Sequence, residues 1–199
     1  MLLVEQTQMK YGFVVILLSL TNTAIAGSDT KVFIDQIADQ STIVIDQIGT
    51  VNNYLNYSSV GTENNLTVSQ AGSNNNQTNR ASVTVTGNQN SVNINQGSKT
   101  DTATSQKGVL VNIAGNSNSA TVIQKDSGGH YAEVSLFDNN QSVEIVQEGA
   151  GSHTANVTLS GQPNSLNLIQ SGNTQQYFSI NSNCGTAGGC AAIQVIQGR

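Results

Sequence analysis

The chain has 199 residues with a single Pro, no Trp, 10% charged residues and a formal net charge of −5, and it is rich in Asn, Gln, Ser, Thr and Gly. That charge is too low for an ordinary disordered tail, and the acidic balance argues against nucleic acid, whose binding relies on clustered Lys and Arg. Beyond the first two dozen residues no apolar run is long enough to span a bilayer.

The N-terminus reads as an export signal, residues 1–26. Lys10 precedes the apolar run Tyr11-Gly12-Phe13-Val14-Val15-Ile16-Leu17-Leu18-Ser19-Leu20, and Ala24-Ile25-Ala26 fits the small-x-small cleavage rule before Gly27. Glu5 spoils the leading segment, so Met9 makes the better start. The competing reading is a buried first helix. The mature chain is then 27–199, outside the cytoplasm.

Along that mature chain one unit repeats. Aligning on Gln gives the row Gln47, Gln70, Gln96, Gln124, Gln147, Gln170 and Gln197, at intervals of 23, 26, 28, 23, 23 and 27 residues. Ahead of each Gln runs polar-x-apolar-x-apolar-x: Ser41/Ile43/Ile45, Asn64/Leu66/Val68, Asn90/Val92/Ile94, Asn118/Ala120/Val122, Gln141/Val143/Ile145, Asn164/Leu166/Leu168 and Ala191/Ile193/Val195. Strict alternation of this kind predicts a half-buried strand with these residues on the inner face. Regular spacing predicts a repeat architecture.

Between those strands lies a looser set: Val32/Ile34, Leu55/Tyr57, Val83/Val85, Val109/Val111/Ile113, Val134/Leu136, Val157/Leu159 and Phe178/Ile180. Its terminal position is read as Gln36, Ser59, Gly87, Gly115, Asp138, Gly161 and Ser182. Turns of Gly, Asn and Ser, residue types that tolerate positive φ, separate the strands. The longer turns are expected at 73–80 and 98–107. The fold class is therefore all-β: a stacked β-solenoid with two strands per rung and about seven rungs.

One rung cannot stand alone. Two or so apolar side chains per strand do not offset the ordering of its backbone at about 1–2 kcal/mol per residue. Rungs stacked about 4.8 Å apart pair every strand and line like residues into columns. A Gln column suits this stack, since each amide donates to one neighbour and accepts from the other. The predicted structural ladder is the Gln row together with Asn64, Asn90, Asn118 and Asn164. Its open ends present unpaired strand edges, which template further strands.

The pattern Ser41-x5-Gln47-x-Gly49-x2-Asn52, followed by Asn64-x5-Gln70-x-Gly72-x2-Asn75, resembles the curlin repeat of curli fibre subunits. The likeness covers nearly all of the mature chain. Ser119–Gly128 and the ending Ala192–Arg199 look more like the minor, nucleating curlin than the major one. The resemblance implies a secreted, cell-surface subunit of an extracellular amyloid fibre used in biofilm and adhesion. It implies as partners the chain itself, other curlin subunits, an outer-membrane secretion channel and its accessory factors. Two other readings are a minor curlin that nucleates another subunit, and a monomeric ice- or surface-binding solenoid suggested by outward Ser82, Thr84 and Thr86.

No catalytic set, cofactor motif or metal motif is visible in the sequence, so an enzyme is not expected. Cys184 and Cys190, in an oxidising compartment, most simply form one disulfide, with free thiols as the alternative. A structural metal site would want four ligands, and no further Cys or paired His lies nearby in sequence. His130 and His153 each follow their Gln by six residues and so share one turn in successive rungs. The plainest reading makes them solvated turn residues; the sharper ones are a two-ligand metal site or a pH-sensitive repulsion. The position before the Gln runs Asp46, Ser69, Asn95, then Ile123, Val146, Ile169 and Ile196. The last four are either strand formers or an outward lateral contact.

Overall fold

A computed structural model of the chain describes residues 3–7, 15–21, 30–49, 51–74, 76–97, 105–161, 164–183, 190 and 192–198. Among the described residues the secondary structure is entirely β. The first eight strands are β1 (Leu3–Thr7), β2 (Val15–Thr21), β3 (Lys31–Asp39), β4 (Thr42–Gly49), β5 (Asn52–Thr62), β6 (Asn65–Gly72), β7 (Thr78–Thr86) and β8 (Ser91–Gln96). The remainder are β9 (Gln106–Ala114), β10 (Ser119–Gln124), β11 (Tyr131–Phe137), β12 (Ser142–Glu148), β13 (Thr154–Ser160), β14 (Ser165–Ser171), β15 (Tyr177–Asn183) and β16 (Ile193–Gln197). Odd-numbered strands form one eight-stranded sheet in chain order, and even-numbered strands form a second. Neighbours within each sheet run parallel. The chain thus winds as a β-solenoid, alternating between two stacked sheets. The stretch read as a leader adds one strand to the end of each sheet, β1 against β3 and β2 against β4.

Side chains alternate along the strands, with exceptions at strand ends such as that of β6. In β10 the inward Ala120, Val122 and Gln124 are buried, while Ser119, Thr121 and Ile123 lie on the outer face. Inward residues of both sheets meet in one continuous core, from Val32 and Ile43 to Leu159 and Leu168. Each column repeats a similar shape at most rungs, with Tyr57 the bulkiest apolar side chain in the core.

In the even-numbered sheet the register follows the repeat alignment: Gln124 stands opposite Gln96 on one side and Gln147 on the other. In the odd-numbered sheet it departs. Ser59 pairs with Val85, Val85 with Ile113, Ile113 with Leu136 and Leu136 with Leu159, whereas the sequence reading placed Gly87, Gly115, Asp138 and Gly161 at that level. The slip is two residues. A two-residue shift keeps every side chain on its own face, so alternation alone cannot detect it. As a result Ala81, Ala132 and Ala155 enter the core, and the middle rungs carry three inward apolar residues per odd strand. The long turns are also shorter than expected, because Thr78–Arg80 and Gln106–Lys107 already belong to strands.

The corner after each odd strand explains why the true register wins. Gly87 donates its backbone N–H to Val60 O, and Gly115 donates to Thr86 O, both at 2.9 Å. Gly87 has φ of +127°, and a Cβ there would strike the carbonyl of Gly115 on the next rung. Two residues on, Gln89, Ser117 and Asn140 all hold φ of 58°. These side chains accept the left-handed region, which carries a cost of about 1–2 kcal/mol, because the turn is built identically in each rung.

Candidate functional site

The candidate site is the set of polar columns that run along the stack and reach its ends. The Gln column is unbroken. Nε2 of Gln47 donates to Oε1 of Gln70 at 2.6 Å, and Gln70 donates to Gln96 at 2.8 Å. The sequence continues through Gln124 at 3.0 Å, Gln147 at 2.9 Å, Gln170 at 2.9 Å and Gln197 at 2.8 Å. Each Nε2 from Gln70 onward also donates to an odd-strand carbonyl, Gly108 O for Gln124 and Tyr131 O for Gln147, both at 3.0 Å. That second bond fixes which end of the amide carries nitrogen. Every link therefore points the same way, from the N-terminal rung to the C-terminal one.

The Asn column points the other way. Oδ1 of Asn64 accepts from Asn90 N, Oδ1 of Asn90 from Asn118 N, and Oδ1 of Asn118 from Gln141 N, at 2.9–3.0 Å. Their Nδ2 groups turn into the corner, onto Gly87 O, Gly115 O and Asp138 O. Asn164 continues the column and donates to Ser182 Oγ at 3.0 Å. A third, outer column closes the same corner: Thr62 N to Asn88 Oδ1, Asn88 N to Asn116 Oδ1 and Asn116 N to Asn139 Oδ1. The spacing of the ladder Gln residues gives no sign of it.

A fourth column was also missed. The register places Asn53, Asn79, Lys107, His130 and His153 in one file at the opposite corner, flanked by Thr30 and Gln176, and all but Gln176 are buried. Several of these side chains donate to the carbonyl of the residue after the ladder Gln. Asn79 reaches Ala71 O at 3.2 Å, and Gln176 reaches Ser171 O at 2.8 Å. His130 and His153 use Nε2 on Lys125 O at 2.9 Å and Glu148 O at 3.0 Å.

The histidines are thus not solvated turn residues. They are 1% and 0% exposed, and their rings stack with centroids 5.1 Å apart and planes 13° from parallel. Because each Nε2 faces a carbonyl, that nitrogen carries the hydrogen. His130 Nδ1 is left to accept from the backbone N–H of His153 at 3.4 Å. Burial, with smaller contributions from the neighbouring His153 and Lys107, pushes the His130 value down to about 4. A metal shared through the two Nδ1 atoms would displace the His153 N–H from His130 Nδ1. Among the described residues no group of three or more His, Cys, Asp or Glu side chains is placed to hold an ion.

The predicted outward residues do form a column: Ile123, Val146, Ile169 and Ile196 pair in register, following Asp46, Ser69 and Asn95. The first three are half-buried among outer-face neighbours, and Ile196 is 66% exposed. Cys190 is disulfide-bonded. Its expected partner Cys184 lies outside the described residues, as does Ala191.

At the C-terminal end the columns stop in the open. Phe178, Ile180, Ile193 and Val195 are only partly buried although they pack on the core. At the other end Gln47 Oε1 is buried without a hydrogen-bond partner, and Leu20 stands opposite Gln47 in the register. No family description, curated protein or solved structure matches the chain.

Proposed function

We propose that the chain is a structural subunit that is exported and then stacks end to end into an extracellular curli-type amyloid fibre. The observation that carries this reading is the one-way Gln ladder with dissimilar ends. Gln47 Oε1 is an acceptor without a donor, whereas Gln197 spends Nε2 on Tyr177 O at 3.3 Å, and among the described residues no Gln stands beyond it in the column. Removal of 1–26 on export would take away β2, whose Leu20 cannot donate, and would leave Gln47 facing outward. The C-terminal face of one copy then offers a donor to the acceptor of the next. The partly exposed Phe178, Ile180, Ile193 and Val195 supply the dry contact, and the free edges of β15 and β16 supply backbone pairing. The partners are further copies of the chain and other curlin subunits, and delivery is through a secretion channel of the outer membrane.

The test is to purify the chain from Gly27 onward, incubate it alone and with preformed seeds, and record fibre diffraction. Reflections near about 4.8 Å and about 10 Å are expected. A chain that stays soluble and shows neither spacing overturns the assignment.

A further inference from the structure

We propose that the buried column Lys107–His130–His153 is an acid-sensitive latch: the rungs from β9 to β13 close most firmly while the His130 imidazole is neutral, so the solenoid is held more tightly at neutral pH than in acid. This does not depend on the assembly reading, because it concerns closure of a single chain.

The geometry makes the argument. Elsewhere in the column an amide does the work, in Asn53, Asn79 and Gln176, and amides do not titrate. In three successive rungs the amide gives way to a basic side chain, and all three are buried. Each imidazole fills the amide's role with one N–H, donated to Lys125 O or Glu148 O. A second hydrogen has no place to go. At His130 Nδ1 it would point at the N–H of His153, which currently donates to that nitrogen. The charge would sit against a parallel imidazole at 5.1 Å. Of the charged and titratable groups around His130, Lys107 in β9 and His153 before β13 oppose protonation, and only Asp126, in the turn after β10, favours it. Asp126 is exposed and its Oδ2 accepts from Gly149 N at 3.0 Å. Around His153 the other contacts are the Glu148 carbonyl and His130 itself.

The direction of the effect follows from the lowered value. An unfolded His130 takes up a proton below about 6.5, and the folded site refuses it down to about 4. The latch therefore contributes its full stability above about pH 6.5 and loses it as the pH falls towards 4. The folding equilibrium should drop by roughly 50-fold between pH 7 and 4.5 from His130 alone.

The experiment uses the full chain, with guanidinium unfolding followed by circular dichroism at pH 7 and 4.5, beside a double variant His130→Asn, His153→Gln. Both replacements are types the column already holds. Carboxylates contribute equally to the two proteins, so their difference isolates the histidines. The variant is expected to lose the roughly 50-fold excess acid sensitivity; a variant with the same pH response as the parent overturns the proposal. Should the variant not fold, imidazole proton shifts in the parent decide. A folded-state His130 still neutral at pH 5 supports the latch, and a midpoint near the ordinary 6.5 refutes it.

Discussion

Nε2 of Gln124 donates to Oε1 of Gln147 at 2.9 Å, across 23 residues of chain and no residues of space. The same nitrogen holds Gly108 O, and Gln124 Oε1 accepts from Gln96. Gln124→Leu would leave a buried donor on Gln96, an acceptor on Gln147 and a bare carbonyl at Gly108. Each unsatisfied group is worth about 1–3 kcal/mol, so a loss of about 3–4 kcal/mol is expected after relaxation. Gln197→Leu, at a part-exposed end, should cost under about 1 kcal/mol. Guanidinium midpoints of the two variants make the comparison, and equal losses would contradict a ladder that depends on continuity.

The outward stripe separates stability from association. Changing Ile123, Ile169 and Ile196 together to Thr removes apolar surface from the outer face and leaves the inward Val122, Leu168 and Val195 in place. Fibre bundling, seen by electron microscopy, should fall, with the cross-β spacing unchanged. By contrast Leu168→Ala, at a fully buried site, should destabilise the fold by about 2–5 kcal/mol. Unaltered bundling in the triple variant would assign the stripe to strand propensity alone.

Two turn positions carry opposite expectations. Gly87→Ala meets both a positive φ and the carbonyl of Gly115, so a loss of more than about 2 kcal/mol is expected. Ser117→Gly relieves a left-handed serine. Its gain of about 1–2 kcal/mol is partly offset by glycine's extra freedom when unfolded, about 0.5–1 kcal/mol. A net stabilisation near 0.5 kcal/mol is expected in thermal melts, and a clear destabilisation there would show that the serine side chain has a role of its own.

Buried Tyr57 should weaken the fold at alkaline pH. Burial raises its phenol above the ordinary value of 10, with the Ser59 hydroxyl beside it offsetting part of the rise. No well-formed hydrogen bond reaches its oxygen. Stability from the neutral phenol is complete below pH 10 and is lost as the pH climbs through the raised value, since only the unfolded chain ionises early. Tyr57→Phe should flatten the decline above pH 10 and leave neutral-pH stability unchanged or slightly higher, as judged by denaturant midpoints at pH 8 and 11.

The even-numbered strands could be read almost entirely from sequence, because their period-2 pattern ends on a Gln that must find its own kind above and below. The odd-numbered strands lack such a terminal amide from β7 to β13, and a slip of two residues keeps Val83 and Val85 facing inward. Only the corner bonds of Gly87 and Gly115 separate the two registers. The fourth column was hidden for a different reason. His130 and His153 follow their Gln by six residues, but Asn79 and Lys107 follow theirs by nine and eleven. Counting along the chain therefore dissolves a file that is continuous in space. A basic side chain in a turn also reads as solvated, because nothing local signals that the next rung will cover it.

Those nine- and eleven-residue arcs have a mechanical meaning. The chain between Gln70 and Asn79, or between Gln96 and Lys107, is longer than its counterparts, yet β7 and β9 sit on their neighbours in unbroken register. Contour length at this corner is uncoupled from rise along the stack, as in an expansion joint. The corner can lengthen by several residues without transmitting any displacement to the rungs on either side, so evolutionary drift can accumulate there while the repeat distance of the whole object stays fixed.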